Sequence, residues 1–304
     1  KTTEAMIEAF EAENSDIAVE ATIMNYPEYT VDLRTRAASD TMPDLVGLEP
    51  GALTQQYREF LMPIQDLAEE HWGPDWQDKF HEIGLEQIQL GNPAGDDNYY
   101  GLPVLVQTIN MWYTVPVFEE YGLEPPETYE EMVEVAEVLR PEGIAPLMVG
   151  AKDGWLRRDI YMLIINTVAP GLIYEAEVGD ARFTEEPFVE AMRWWKRMFD
   201  DGIVQDGALG LSAYPGSQEL IEAGRAGMFP LGAWWMQRAG NPDPPPLSEG
   251  LTGFAPMRFP ALNGSRPEGM TGGIDVMIGI TKSAEDPEAA FRVLADFIDG
   301  AGAQ

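Results

Sequence analysis

The sequence predicts an α/β fold, and three observations carry that reading. Helical and extended patterns alternate in short succession from the first residues onward, as in βαβ arrangements with parallel strand pairing. Hydrophobic residues make up 45% of the chain, enough to bury a large core despite a formal charge of −33. A length of 304 residues suits about two domains.

The elements follow in order. Met6, Ile7 and Phe10 share a helical face that Asn14-Ser15 closes. Ile17, Val19, Ala21 and Ile23 alternate as a strand. A helix to about Ser39 follows, then a short apolar strand at Leu45-Val46-Gly47-Leu48. Residues 52–90 read as mostly helical, with breaks at Pro63 and Gly73-Pro74. Tyr99 to Tyr113 is extended. Thr128 and Glu131 have the spacing of a capping box, and Met132, Val133, Ala136 and Leu139 continue that helix. Pro146 to Val149 is a strand, and Trp155 to about Val168 a helix. Pro187 opens a helix whose buried stripe is Phe188, Met192, Trp195 and Phe199. Gly227 to Leu231, Gly253 to Met257 and Ile274 to Thr281 are extended. Asn241 to Pro246 is a proline-rich loop, and Asp286-Pro287 starts a final helix.

Composition excludes several functions. There are 52 acidic residues against 19 basic ones, so the surface repels phosphate and lacks the basic clusters that nucleic acid and anionic membranes require. Cysteine is absent, which removes disulfide scaffolds, thiolate metal sites and cysteine nucleophiles. The two histidines, His71 and His81, are too few for a histidine metal site and wrongly spaced to share one. No metal and no cofactor is expected. Acid-rich, lysine-poor surfaces suit strong salt, where the Debye length falls to about 3 Å at 1 M. No apolar run is long enough to span a membrane, and no signal peptide is visible.

Several stretches resemble the extracellular solute-binding proteins of bacterial ABC importers, in the branch that binds sugars and oligosaccharides. Met42-Pro43-Asp44-Leu45-Val46 resembles the family's "PD" strand. Tyr100-Gly101-Leu102-Pro103, Met111-Trp112-Tyr113 and Phe118 to Leu123 are similar to "YGLP…WYN…LFEKAGL", with Thr114 in place of Asn. Pro125 to Met132 resembles "PPxTWDEL", with Tyr129 replacing tryptophan. Gly150 to Trp155 resembles "GKDGW", and Phe183-Thr184 with the Trp194-Trp195 helix resembles "RFTDPxxVEALEFWKDL". Gly224 to Met228 with Gly232-Ala233-Trp234 is similar to "GKAAMxxxGSW", and Gly272 to Asp275 resembles "GGxD".

The resemblance implies a two-lobe fold with discontinuous lobes and a hinge, 1–107 plus 258–304 forming the first and 108–257 the second. The family's first strand, expected just before Thr3, and a helical stretch expected after residue 300 are both missing, which implies a chain truncated at both ends. The implied role is non-enzymatic: binding a carbohydrate in the interlobe cleft and delivering it to the transmembrane subunits of an ABC permease. The implied location is extracytoplasmic, and the implied state a monomer.

Sugars offer apolar C–H faces and many hydroxyls, so a site needs flat aromatic rings with carboxylates or amides beside them. Trp155 follows a glycine at a strand-to-helix turn, where α/β ligands bind; a core role at the helix start is the alternative. Trp234 and Trp235 follow a short strand and Gly232, and being adjacent, one faces in and one out. Trp234 is preferred because it aligns with the "GSW" element. Asp275 follows Gly272-Gly273, which lets backbone approach a ligand; a turn aspartate is the alternative. Gln107 lies in the first crossing, and Glu49, Asn25 and Tyr26 sit just past strand ends. Tyr214 and Gln218 flank a helix start. Trp112, Trp194 and Trp195 read as core, and Trp72 and Trp76 as local packing.

An enzyme is the alternative function. Adjacent acids such as Asp96-Asp97 and Glu185-Glu186 arise by chance among so many, and glycosidase chemistry needs two carboxylates about 5–10 Å apart. No nucleophile elbow, P-loop or dinucleotide fingerprint occurs. A binder of peptides or polyamines is a further alternative.

Overall fold

The computed structural model describes residues 3–24, 26–90, 92–93, 95–236, 253–267, 269 and 271–300. In chain order the helices and strands are α1 (Thr3–Glu13), α2 (Tyr26–Ser39), β1 (Leu45–Leu48), α3 (Ala52–Tyr57), α4 (Gln65–Trp72), α5 (Glu82–Ile88), β2 (Leu102–Thr114), α6 (Val115–Tyr121), α7 (Tyr129–Leu139), β3 (Ala145–Leu147), α8 (Gly154–Val168), α9 (Leu172–Glu177), α10 (Glu186–Asp200), α11 (Gln218–Glu222), β4 (Ala226–Gly232), β5 (Phe254–Met257), β6 (Thr271–Ile280) and α12 (Pro287–Asp299). The chain divides into two compact units: Lys1–Val106 with Gly273–Gln304, and Gln107–Gly272. It crosses from one unit to the other within β2 and again within β6.

In the first unit β1 pairs antiparallel with β6, Leu45 opposite Ile280 and Leu48 opposite Met277. Val46, Leu48, Met277 and Ile280 are buried against Leu33 of α2 and Phe291 and Leu294 of α12. Helix α1 ends where the sequence says it should: the backbone and side-chain amides of Asn14 both donate to the Phe10 carbonyl, at 2.9 and 3.0 Å. Helix α12 starts with Pro287 in its first turn and the Asp286 carboxylate accepting from Ala289 N at 3.0 Å.

Two expectations fail in this unit. Residues 17–24 do not form a strand, because alternation alone supplies no partner, and no described strand bonds to them. Val19 N donates instead to the Glu11 carboxylate at 2.8 Å, and Ile23 is 68% exposed. Most of them line a groove of about 700 Å³ with β1, α2 and α12, and none of the described candidate site residues lines it. The β1–β6 pairing is antiparallel where helix–strand alternation suggested parallel strands.

In the second unit β2 pairs antiparallel with both β4 and β5, and β4 pairs parallel with β3. Trp112 is buried, its indole N–H donating to Leu231 O at 2.9 Å. The capping box forms: Glu131 N donates to Thr128 Oγ1 at 3.2 Å, and Thr128 N to the Glu131 carboxylate at 3.3 Å. Helix α10 buries Phe188, Ala191, Trp194, Trp195 and Met198. Met192 is 53% exposed rather than buried, because the packed stripe runs through Ala191 and Trp195, one position round the helix.

The expected return near Met257 is also corrected. Residues 258–272 stay with the second unit because backbone bonds and packing tie them there. Ala261 N donates to Glu127 O at 2.8 Å and Tyr129 N to Ala261 O at 3.0 Å, while Phe259 and Leu262 join that unit's core. Asn166 Nδ2 then donates to Thr271 Oγ1 at 3.0 Å. The proline-rich loop Asn241 to Pro246 lies outside the described residues. Among the described residues no helix is long and apolar enough to cross a membrane.

Candidate functional site

Parallel strands deliver their carboxyl ends to one edge of a sheet, which is where α/β proteins place ligands. In the second unit β3 and β4 are the parallel pair. The loop after β3 leads into the first turn of α8, which carries Trp155; the short turn after β4 carries Trp234. Both rings therefore reach the same edge. Their centroids stand 6.0 Å apart at an interplanar angle of 62°, edge to face.

Tyr214 completes the group. Its ring lies 5.9 Å from Trp155 at an angle of 15°, a stacked arrangement. Its hydroxyl accepts a 2.7 Å hydrogen bond from Trp234 Nε1. Both ring geometries fall within the favourable range for aromatic pairs. Tyr214 belongs to a single wide turn, residues 213–217, yet is itself extended at φ −127° and ψ 133°. The loop after β3 fixes that turn. Asp153 Oδ2 accepts from Ala213 N at 2.8 Å, and Lys152 N donates to Leu211 O at 2.9 Å. Trp155 and Trp234 are half-buried and Tyr214 is 39% exposed, so the three rings form an accessible aromatic wall.

Other predicted residues fare differently. Trp235 is corrected to a core residue: it is 2% exposed and packs edge to face against Phe229 and Phe254, at 5.4 and 5.6 Å. Successive side chains of a 3-10 turn are about 120° apart, so Trp234 can sit on the wall while Trp235 packs into the core. Gln218 turns along α11 to donate to the Glu222 carboxylate at 2.9 Å. Gln107 opens the second unit, and its Oε1 is buried with no hydrogen-bond partner among the described residues. A buried acceptor without a donor costs about 1–3 kcal/mol, so this atom is a candidate acceptor for a ligand hydroxyl.

Tyr26, Glu49, Gly273 and Asp275 belong to the first unit. Tyr26 is exposed at the start of α2. Glu49 is half-buried just past β1, and Asp275 is half-buried within β6. Gly273 is where Gln87 docks: a Cβ there would stand 2.6 Å from the Gln87 amide, whose oxygen accepts from Ile274 N at 2.7 Å. Asn25 lies outside the described residues. Asp153 lies in the Gly150–Trp155 motif, but its grip on Ala213 N depends on distant backbone, and Gln87 carries no local signal for its bond to Ile274 N.

Among the described residues no group of three or more histidine or acidic side chains is arranged to hold a metal ion. Asp96 serves its own turn, accepting from Asn98 N at 3.1 Å and Tyr100 OH at 2.9 Å. Desolvation, the largest single influence, pushes its carboxyl up, but the bonds from Tyr100 and Asn98 together outweigh it and hold the carboxyl below the usual carboxylate value. His81 sits at the N-cap position of α5, and His71 packs edge to face on Trp72 and Phe291.

Two α/β units, the first split in sequence around the second and joined to it by two crossing strands, are the architecture of a solute-binding class of protein. Residues 1–303 match the family model for bacterial extracellular solute-binding protein, and the chain belongs to that family. The multiple sugar-binding protein of Streptococcus mutans is 22% identical over 249 residues, covering 80% of this chain. The chain spans 56% of that relative's length. Among solved structures, one from work on xylan utilization by the thermophilic bacterium Caldanaerobius polysaccharolyticus superposes with a TM-score of 0.81 at 19% identity, covering 97% of this chain and 74% of the other. A chitin oligosaccharide binding protein follows with a TM-score of 0.76 at 20% identity, covering 97% and 72%. At these identities the likeness establishes the fold.

Proposed function

We propose that this chain binds a carbohydrate, with Trp155, Trp234 and Tyr214 as the surface on which a sugar ring stacks. The observation that carries the reading is the aromatic wall itself. Its rings are held in fixed mutual geometry at a sheet edge yet left partly open. A flat aromatic face suits the C–H face of a sugar and gains most where water is excluded. Gln107 Oε1 supplies a buried acceptor for a hydroxyl in the same unit. In the first unit, Glu49, Asp275, Tyr26 and Gly273 are proposed as further ligand contacts from their positions in the sequence.

The wall itself favours a neutral ligand over a polyamine. Asp153, the carboxylate that fixes the Tyr214 turn, accepts from Ala213 N. A polyamine would need open carboxylates among the rings. The names of similar proteins, a multiple sugar-binding protein and a chitin oligosaccharide binding protein, point to the same ligand class.

The role that follows is delivery of the bound sugar to the transmembrane subunits of an ABC permease, outside the cytoplasmic membrane, by a monomer. Binding energy is spent on capture rather than on bond breaking. The test is incubation with xylo-, chito- and raffinose-type oligosaccharides, following tryptophan fluorescence and reducing ends together. A saturable fluorescence change without cleavage supports the reading. New reducing ends would make the chain a carbohydrate-active enzyme instead.

A further inference from the structure

Gly232 closes β4 and is buried. Its backbone angles, φ −76° and ψ 179°, are extended values that any residue adopts, so backbone conformation does not call for glycine here. The Trp234 ring does. A Cβ on residue 232 would fall 1.9 Å from Trp234 Cζ3, 2.3 Å from Cε3 and 2.5 Å from Cη2. The six-membered half of the indole lies directly on the Gly232 backbone. That seat leaves the pyrrole half to reach Tyr214, where Nε1 makes its 2.7 Å bond, and sets the ring edge-on to Trp155.

We propose that Gly232 is a positioning residue for ligand binding: its missing side chain is the seat that fixes Trp234 in the aromatic wall before ligand arrives. This rests on the reading of the wall as a sugar surface. A methyl group at 232 pushes the six-membered half outward, draws Nε1 away from the Tyr214 hydroxyl and spoils the edge-to-face angle with Trp155. A wall set in advance loses less conformational freedom on binding than one assembled around the ligand.

The test compares Gly232→Ala, Trp234→Ala and the double variant in the 304-residue chain, with Gly227→Ala as control. Gly227 lies in the same strand, and a Cβ there would stand 2.4 Å from Leu139 Cδ1, so this control crowds the core without touching the wall. The near-ultraviolet circular dichroism of Gly232→Ala should lose the same tryptophan band that Trp234→Ala loses, while Gly227→Ala keeps it. Its melting temperature should fall relative to wild type. That fall should vanish in the Trp234→Ala background, where there is no ring to displace. Affinity for whichever oligosaccharide of the panel binds wild type best should drop about five- to tenfold, the loss expected for a displaced stacking ring.

A Gly232→Ala protein with the wild-type band would overturn the proposal, as would an equal loss of melting temperature in both backgrounds. If Gly232→Ala fails to fold, a folded double variant supports the proposal and an unfolded one overturns it. If wild type binds no saccharide, the sugar reading fails by itself, and the band and melting comparisons still decide the role of Gly232.

Discussion

The indole N–H of Trp234 donates a 2.7 Å hydrogen bond to the hydroxyl of Tyr214, twenty residues earlier in the chain. The bond ties the turn after β4 to the wide turn at 213–217, and Trp155 closes the group from the start of α8. Three separate stretches of sequence thus share one surface. Removing the phenol oxygen in Tyr214→Phe leaves the ring stack in place and removes the tie. Sugar affinity should fall by about 1 kcal/mol, a typical net value for one hydrogen bond, with the melting temperature little changed. Calorimetric titration beside a thermal melt checks both.

Trp234→Ala should weaken sugar binding by at least about 1 kcal/mol, roughly fivefold, since a stacked aromatic contributes about 0.5–1.5 kcal/mol beyond area burial. Unchanged affinity in a folded variant would remove Trp234 from the site.

Its neighbour behaves differently. Trp235→Ala opens the core beside Phe229 and Phe254 and should cost about 3–5 kcal/mol of stability. Denaturant unfolding reads this directly. A variant as stable as wild type would contradict the core assignment.

The contrast shows what was legible in the sequence. Local signals translated well. The capping box of Thr128 and Glu131, the Asp286-Pro287 start of α12 and the core role of Trp112 all rest on residues a few positions apart or on plain burial. That one of Trp234 and Trp235 faces inward was also legible, but the sequence left Trp235 among the site candidates. Long-range matters stayed hidden. Residues 17–24 alternate like a strand and lack a described partner. The chain's second crossing is set by bonds from Ala261 to Glu127 and Tyr129, far away in sequence. Tyr214 was a candidate at a helix start, but its stack on Trp155 depends on Asp153 gripping Ala213. Gly232 looked like a motif glycine, and only the ring lying on it shows what its bare Cα is for.

Alkaline stability should depend on Tyr129. Burial raises the pKa of its hydroxyl above the ordinary value of 10.0, and the 2.8 Å bond to Asp201 acts in the same direction. The folded state holds this proton more tightly than the unfolded state. The contribution is therefore intact below about pH 10 and is lost as pH rises above it. The drop in unfolding free energy above pH 10 should shrink in Tyr129→Phe. An identical slope in wild type and variant would count against it.

Salt should stabilise the chain. A formal charge of −33 repels itself, and the Debye length shortens to about 3 Å at 1 M. The melting temperature should rise from low to molar sodium chloride; a flat or falling curve would refute the adaptation to strong salt that the composition suggests.

The aromatic wall of the second unit is the proposed sugar-binding surface. Isothermal titration calorimetry of wild type and a Trp155→Ala/Trp234→Ala double variant, against xylo-, chito- and raffinose-type oligosaccharides, tests it most directly. Wild type should bind at least one of them saturably, and a double variant that still folds should not. Equal affinity in the two proteins, or no binding by wild type to any saccharide of the panel, would contradict it.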